Sequence, residues 1–177
     1  MSALYFVVET LFSLAFLVFL LRLVMQMVRA DFRNPLAQAI VRLTNPLVMP
    51  LRRVLPPAGK IDSASVFAVL LIVLMKVAVL SIVSTGHLPG PFDTLRLAAL
   101  EAVRSVLWFY FYAIFLYALL SMIAPGTPNP LQPVLAAVCE PLLRPIRRRV
   151  PPLGGLDLSA LWLLIAIQAA LILLRTA

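Results

Sequence analysis

Cysteine and histidine occur once each in the 177 residues, as Cys139 and His87, and acidic side chains number only seven. A single cysteine permits no internal disulfide and leaves the redox compartment unread. No grouping of His, Cys, Asp and Glu has metal-ligand spacing, so no metal centre and no other cofactor is expected. Glycine is scarce too, at six residues, and no glycine-rich phosphate loop occurs. Charge is thin overall. With 12% charged residues against 63% apolar and a mean hydropathy of +1.04, a soluble globular domain is excluded. No catalytic constellation is present, and the chain reads as not an enzyme.

What is abundant is long apolar sequence. Four segments, roughly 3–28, 64–85, 97–123 and 158–175, reach the ~20 residues a bilayer-spanning helix needs. The first is not read as a cleaved signal peptide: its n-region lacks a positive charge, it carries Glu9, and no A-x-A-like site follows. The net charge of +8 is unevenly placed. Loop 29–62 holds Arg29, Arg33, Arg42, Arg52, Arg53 and Lys60, and loop 124–157 holds Arg144, Arg147, Arg148 and Arg149. The intervening loop has only Arg96 and His87 against Asp93. The positive-inside rule puts both basic loops in the cytoplasm and both termini outside. No aromatic residues interleave with these arginines for base stacking, so nucleic acid is not the expected partner. Anionic lipid headgroups are.

The chain also says one thing twice, 95 residues apart. Asn34-Pro35, Pro46-Leu47, Pro50, Arg52-Arg53, Pro56-Pro57, Gly59 and Asp62 return as Asn129-Pro130, Pro141-Leu142, Pro145, Arg147-Arg148, Pro151-Pro152, Gly154 and Asp157. Twelve of the 29 positions from 34 to 62 match their mates without a gap. Composition alone repeats core hydrophobics; it does not repeat prolines, arginines and an aspartate in register. Each copy is flanked by apolar runs, which makes the chain a tandem duplication of a two-span hairpin, residues 1–90 and 91–177.

Within the first copy, Leu36, Ile40, Leu43, Leu47, Leu51 and Val54 fall on one helical face, with Gln38, Arg42, Asn45 and Arg52 opposite. The second copy repeats this in part. Proline lacks an amide donor and clashes with the preceding turn, so Pro46 and Pro50, and Pro141 and Pro145, predict two short helices with a break. Asn45 and Glu140 are then the candidate N-caps of the second pieces. Such arginine-bearing amphipathic segments lie in the interface plane. The double prolines predict an extended turn. Asp62 and Asp157 precede the second span of each copy, either as helix N-caps at the positive dipole end or paired with the twin arginines to pin the loop. Arg52, Arg53, Arg147 and Arg148 are either topology signals or a docking surface for anionic lipid or a protein partner.

Polar groups inside the spans form one candidate layer. Counted at 1.5 Å per residue from the outer ends, Glu9, Lys76, Arg104 and Gln168 come to about 9–13 Å deep, with Glu101 one turn nearer the surface. The cluster is either interhelical glue or the lining of a narrow polar path. Arg22, near the inner end of the first span, is expected to snorkel to the surface. The aromatic run from Trp108 to Tyr112 is read as packing or lipid contact.

The pattern of Asn-Pro, then Pro-x-x-x-Pro-x-Arg-Arg, Pro-Pro, Gly and Asp before an apolar span resembles the YggT family, called YlmG in plastids and Gram-positive bacteria. The resemblance covers both copies and nearly the whole chain. It implies a small multi-pass inner-membrane protein, without catalytic residues, linked to osmotic-stress tolerance and ion homeostasis, to division or nucleoid distribution, and to assembly of photosynthetic cytochromes. The copies depart from one another at Lys60, which stands where the second has Gly155. Together these readings give an all-α membrane protein of four transmembrane helices, as two tandem two-span repeats related by a pseudo-two-fold axis along the membrane normal, each with an amphipathic interfacial segment. The functional expectation is a scaffold or assembly factor, as a monomer or homo-oligomer, with a small ion-conducting or osmotic-stress-linked transport protein as the alternative.

Overall fold

The computed structural model describes residues 3–55, 62–123, 129–148 and 158–176. The regular structure there is helical: α1 (Ala3–Met27), α2 (Pro35–Val54), α3 (Ser63–Thr85), α4 (Pro91–Ile123), α5 (Leu131–Arg147) and α6 (Ser159–Thr176). Among the described residues, α1, α3 and α4 are long and apolar enough to cross a bilayer. Helix α6 is apolar but shorter, 18 residues or about 27 Å.

Helix α4 begins at Pro91, earlier than its apolar run, because the local signals favour a start there. Proline is pre-organised for the first helical position, Asp93 sits in the first turn at the positive dipole end, and Thr94 N–H reaches Gly90 O at 2.9 Å. The resulting 33 residues extend about 50 Å. Helix α3 stops at Gly86, whose φ of 73° suits the left-handed cap and whose N–H bonds Ile82 O at 2.9 Å. Helix α1 stops the same way without a glycine. Arg29 takes φ 53°, with Arg29 N–H to Gln26 O at 3.2 Å and Ala30 N–H to Met25 O at 2.9 Å, the paired bonds of a Schellman motif. Ala30 and Met25 are both buried.

Two expectations about the repeated segment are corrected. Helices α2 and α5 each run unbroken through their prolines. All four prolines lie on exposed faces, and each strips one carbonyl oxygen of its helical donor, those of Arg42 and Pro46 and of Ala137 and Pro141. Asn45 and Glu140 are therefore mid-helix and cap nothing. The capping bonds come from the asparagines of the Asn-Pro pairs: Asn34 Oδ1 accepts from Leu36 N–H at 2.8 Å, and Asn129 Oδ1 from Leu131 N–H at 2.9 Å. In the first pair asparagine caps and Pro35 opens the helix; in the second, Pro130 holds the N-cap position with helical φ and ψ, and Asn129 bonds from one residue ahead of it. Asn34 Nδ2 also donates to Pro130 O at 2.6 Å, tying the start of one copy to the start of the other.

The buried face of α2 is rotated from the expected one. Ala37, Ile40, Thr44 and Val48 are buried, whereas Leu43 and Val54 are 70% and 78% exposed. The apolar count along α2 exceeds what one buried stripe can hold, so the surplus faces outward. In α5 the buried residues are Val134, Leu135, Val138, Cys139 and Leu143.

The chain packs as two compact units, each drawing on both copies: residues 1–23 with 40–106, and residues 24–39 with 107–177. The first unit is centred on Val48, Ala64 and Ala68, with Phe19, Leu47 and Leu51 packed against them. The small residues Ala64 and Ala68, one turn apart, let α2 and α3 approach closely. In the second unit α5 packs on α6. Along α4, Trp108 stacks on Tyr112 at 5.4 Å between ring centroids and meets Phe111 edge-on at 5.5 Å.

Candidate functional site

In the first unit the junction of α1, α2 and α3 is built on two arginines. Arg52 presents a fork to Asp62, with Nη2 2.6 Å from Oδ2 and Nε 3.2 and 3.3 Å from the two oxygens. Ser65 Oγ, wholly buried, donates to the same Oδ2 at 2.7 Å. Asp62 occupies the N-cap position of α3 without a side-chain cap bond, because its carboxylate is turned to these donors. The charge-assisted pairing thus displaces the capping role. Asp157, the counterpart, lies outside the described residues, as do both double prolines, Gly59, Lys60, Arg149 and Gly154.

Arg22 does not snorkel. It is 2% exposed, and its Nη1 donates to Thr44 Oγ1 at 2.5 Å, Asn45 Oδ1 at 2.9 Å and Val41 O at 3.3 Å. Its Nε is buried without a hydrogen-bond partner. Snorkelling loses because α2 brings three acceptors within reach, and bonds to a charged group are worth about 1.5–3 kcal/mol each. The expectation of snorkelling gives this residue no partner in the fold. The signal was Thr44, a hydroxyl on the otherwise apolar face of Ala37, Ile40 and Val48.

Elsewhere in the same unit, four of the five polar residues of the expected layer share one place. Lys76 Nζ lies 2.5 Å from Glu101 Oε1 and 3.1 Å from Ser13 Oγ. Glu101 also accepts from Ser105 Oγ at 3.3 Å and has Arg104 Nη1 at 3.7 Å. Glu9, Lys76, Glu101 and Arg104 line a cleft of about 260 Å³ together with Tyr5, Ser81 and Ser84. Glu9 and Arg104 are counterparts under the 95-residue repeat and meet on this cleft with opposite charge. Gln168, half-buried on α6, belongs to the second unit.

In the second unit, Glu140 and Arg147 pair across two helical turns at 2.6 Å. Arg53, Arg144 and Arg148 are exposed. A groove of about 770 Å³ runs between the last turn of α1 and α5, lined by Val24, Met27, Val28, Ala137, Pro141 and Leu142 and by the polar residues Tyr110, Glu140 and Arg144. Cys139 is fully buried; that burial, and then the Glu140 carboxylate, pushes its thiol up to about 12. Burial and a raised pKa keep the thiol protonated, the opposite of the thiolate that nucleophilic and ligand cysteines need. Among the described residues, no three His, Cys, Asp or Glu side chains gather as metal ligands.

The whole chain has relatives of similar length. A protein of Vibrio alginolyticus is 40% identical over 171 residues, 96% of this chain and 92% of its own. One of Pseudomonas aeruginosa is 42% identical over 168 residues, 94% of this chain and 85% of its own. The Escherichia coli protein YggT is 37% identical over 165 residues, 93% of this chain and 85% of its own. All three are described as uncharacterized. No solved structure matches the chain. The family model CCB3/YggT matches residues 1–83 and 97–177, and with three long apolar helices in hand the chain is a membrane protein that belongs to the CCB3/YggT family.

Proposed function

We propose that the protein is a non-enzymatic, four-span scaffold or assembly factor of the bacterial inner membrane, serving envelope and osmotic homeostasis. Its basic segments α2 and α5 lie in the cytoplasmic interface, α6 is the fourth span, and both termini face outward. The observation that carries this reading is the outer face of α2. There Leu43, Met49 and Val54 stand exposed beside exposed Arg42 and Arg53, a mixture suited to the headgroup boundary rather than to water or hydrocarbon alone. Arg53 and Arg148 are its lipid or partner contacts; Arg52 and Arg147 are largely spent on Asp62 and Glu140.

The test replaces Arg52, Arg53, Arg147 and Arg148 by glutamine in nanodisc-held protein and measures recruitment of anionic over zwitterionic lipid. At about 1 kcal/mol per exposed arginine, the two unpaired ones predict a loss of about thirtyfold. Unchanged recruitment with disturbed orientation reduces the arginines to topology signals. Reporter fusions in loop 29–62 and at both termini check the orientation.

The cleft of Glu9, Lys76, Glu101 and Arg104 supports a second reading, a small ion-conducting or osmotically linked transporter. Its two cations and two carboxylates balance in net charge, and Glu101 pairs with both cations, which favours helix-holding over conduction. Ion flux through proteoliposomes of the pure protein, abolished by Glu9→Gln, would reverse that order.

A further inference from the structure

The groove of the second unit joins an apolar trough, a cation and carbonyl oxygens freed by proline. Its walls are apolar, from Val24, Met27 and Val28 at the end of α1 and Leu142 on α5. Its volume of about 770 Å³ falls within the roughly 300–1,000 Å³ of ligand clefts. Three polar side chains line it, Tyr110, Glu140 and Arg144. Glu140 is held by Arg147 at 2.6 Å, whereas no acidic side chain among the described residues pairs with Arg144. Among the described residues, the groove therefore carries one cation outside any ion pair beside an apolar trough, its one carboxylate being held by Arg147. It also holds Ala137 and Pro141, whose carbonyl oxygens lose their helical donors to Pro141 and Pro145. A phosphate with hydroxyl groups on one end and a hydrocarbon chain on the other satisfies all three.

We propose that this groove seats a single anionic phospholipid, its phosphate paired with Arg144, its headgroup hydroxyls turned to the freed carbonyls, and one acyl chain laid along Val24, Met27, Val28 and Leu142. The proposal rests on the reading of α5 as an interfacial helix and adds a defined ligand and stoichiometry to it. The seat is peculiar to the second copy, because the counterparts of Glu140 and Arg144 in the first are Asn45 and Met49, and Asn45 is taken by Arg22. One lipid per chain follows, not two.

The experiment is native mass spectrometry of the delipidated full chain in detergent, titrated with phosphatidylglycerol or with phosphatidylcholine of the same acyl chains. Wild-type protein is expected to take up one phosphatidylglycerol well before any second, and to prefer it to phosphatidylcholine. Arg144→Gln is expected to weaken that first event about fivefold, the equivalent of about 1 kcal/mol, while Arg144→Lys keeps most of it. Arg33→Gln, which removes an exposed charge outside the groove, should leave the first event unchanged. Unfolding temperatures matching the wild type certify each variant as folded. Equal affinity for the two lipids, an Arg144→Gln variant that binds like the wild type, or an Arg33→Gln variant that loses as much, overturns the proposal. The double variant Arg53→Gln/Arg148→Gln leaves Arg144 and the Glu140–Arg147 pair in place, so loss of diffuse recruitment there and loss of the seated lipid here are read separately.

Discussion

Lys76 has its ammonium 2.5 Å from Glu101 and 3.1 Å from Ser13, with 6% of its side chain exposed. At an effective dielectric of about 20, unit charges at that distance attract by about 7 kcal/mol, and desolvation of the two ions cancels much of this. Replacing Lys76 by methionine leaves Glu101 with only Arg104 at 3.7 Å and the Ser105 hydroxyl. Stranding one member of a buried pair costs about 3–5 kcal/mol. The 19% exposure of Glu101 and the nearby Arg104 place the expected loss near the lower end, about 3 kcal/mol. Glu101→Leu alone should cost a similar amount by stranding the ammonium, and the double variant should lose much less than the sum, since apolar replacements of both partners are often neutral. Glu9→Gln, with no ion pair to break among the described residues, is expected to change stability by under about 0.5 kcal/mol. The assay is reversible unfolding in mixed micelles, read by Trp108 and Trp162 fluorescence. Additive single effects, or a larger coupling of Lys76 to Glu9 than to Glu101, would refute the assignment.

Arg22→Met should cost about 2–4 kcal/mol in the same assay because Thr44, Asn45 and Val41 lose a shared charged donor, and Arg22→Lys should recover only part of it; equal stability of all three proteins would dismiss Arg22 as a clasp. Asn34→Ala and Asn129→Ala should each cost about 1 kcal/mol as lost side-chain bonds at the helix start, with Asn34→Ala the costlier for its further bond to Pro130; unchanged stability of both variants would dismiss the asparagines as caps. The raised thiol of Cys139 means the folded state keeps a proton that the unfolded chain sheds, so its contribution is intact below about 9 and is lost as pH rises toward about 12. Stability should therefore fall over that window more steeply in the wild type than in Cys139→Ala, and parallel curves would contradict the burial of the thiol.

Hydropathy located the long helices well. The runs at 3–28 and 64–85 became Ala3–Met27 and Ser63–Thr85, since apolar length fixes a helix when every backbone group must bond internally. The start of α4 was missed because Pro91 and Asp93 lie outside the apolar stretch, and their signal is capping rather than hydropathy. The proline pairs of α2 and α5 were overread: a proline ends a helix only where the freed carbonyl has nowhere to go, and exposure is not visible in spacing. The phase of α2 was half legible. Ile40 is buried as its position suggests, yet Leu43 and Val54 face outward, and periodicity cannot tell an apolar side chain bound for the core from one bound for lipid. Polar side chains could be assigned a depth but not a partner. Depth brought Glu9 to the level of Lys76; the helix rotation that gives Lys76 to Glu101 instead is set by packing.

The placement of Glu9 and Arg104 on one cleft, as mates 95 residues apart, has a consequence for the linkage of the two halves. In an assembly of two identical subunits, any position near the symmetry axis meets its own copy, and a carboxylate there would face a carboxylate, forcing one to hold a proton or both to retreat. Joining the halves in one polypeptide lifts that restriction, because each half mutates alone. Here one half supplies an acid and the other a base at the same structural address. The linker between residues 85 and 91 thus does more than join two copies of one sequence pattern: it lets a site be asymmetric, so that exchanging the halves would yield a different protein.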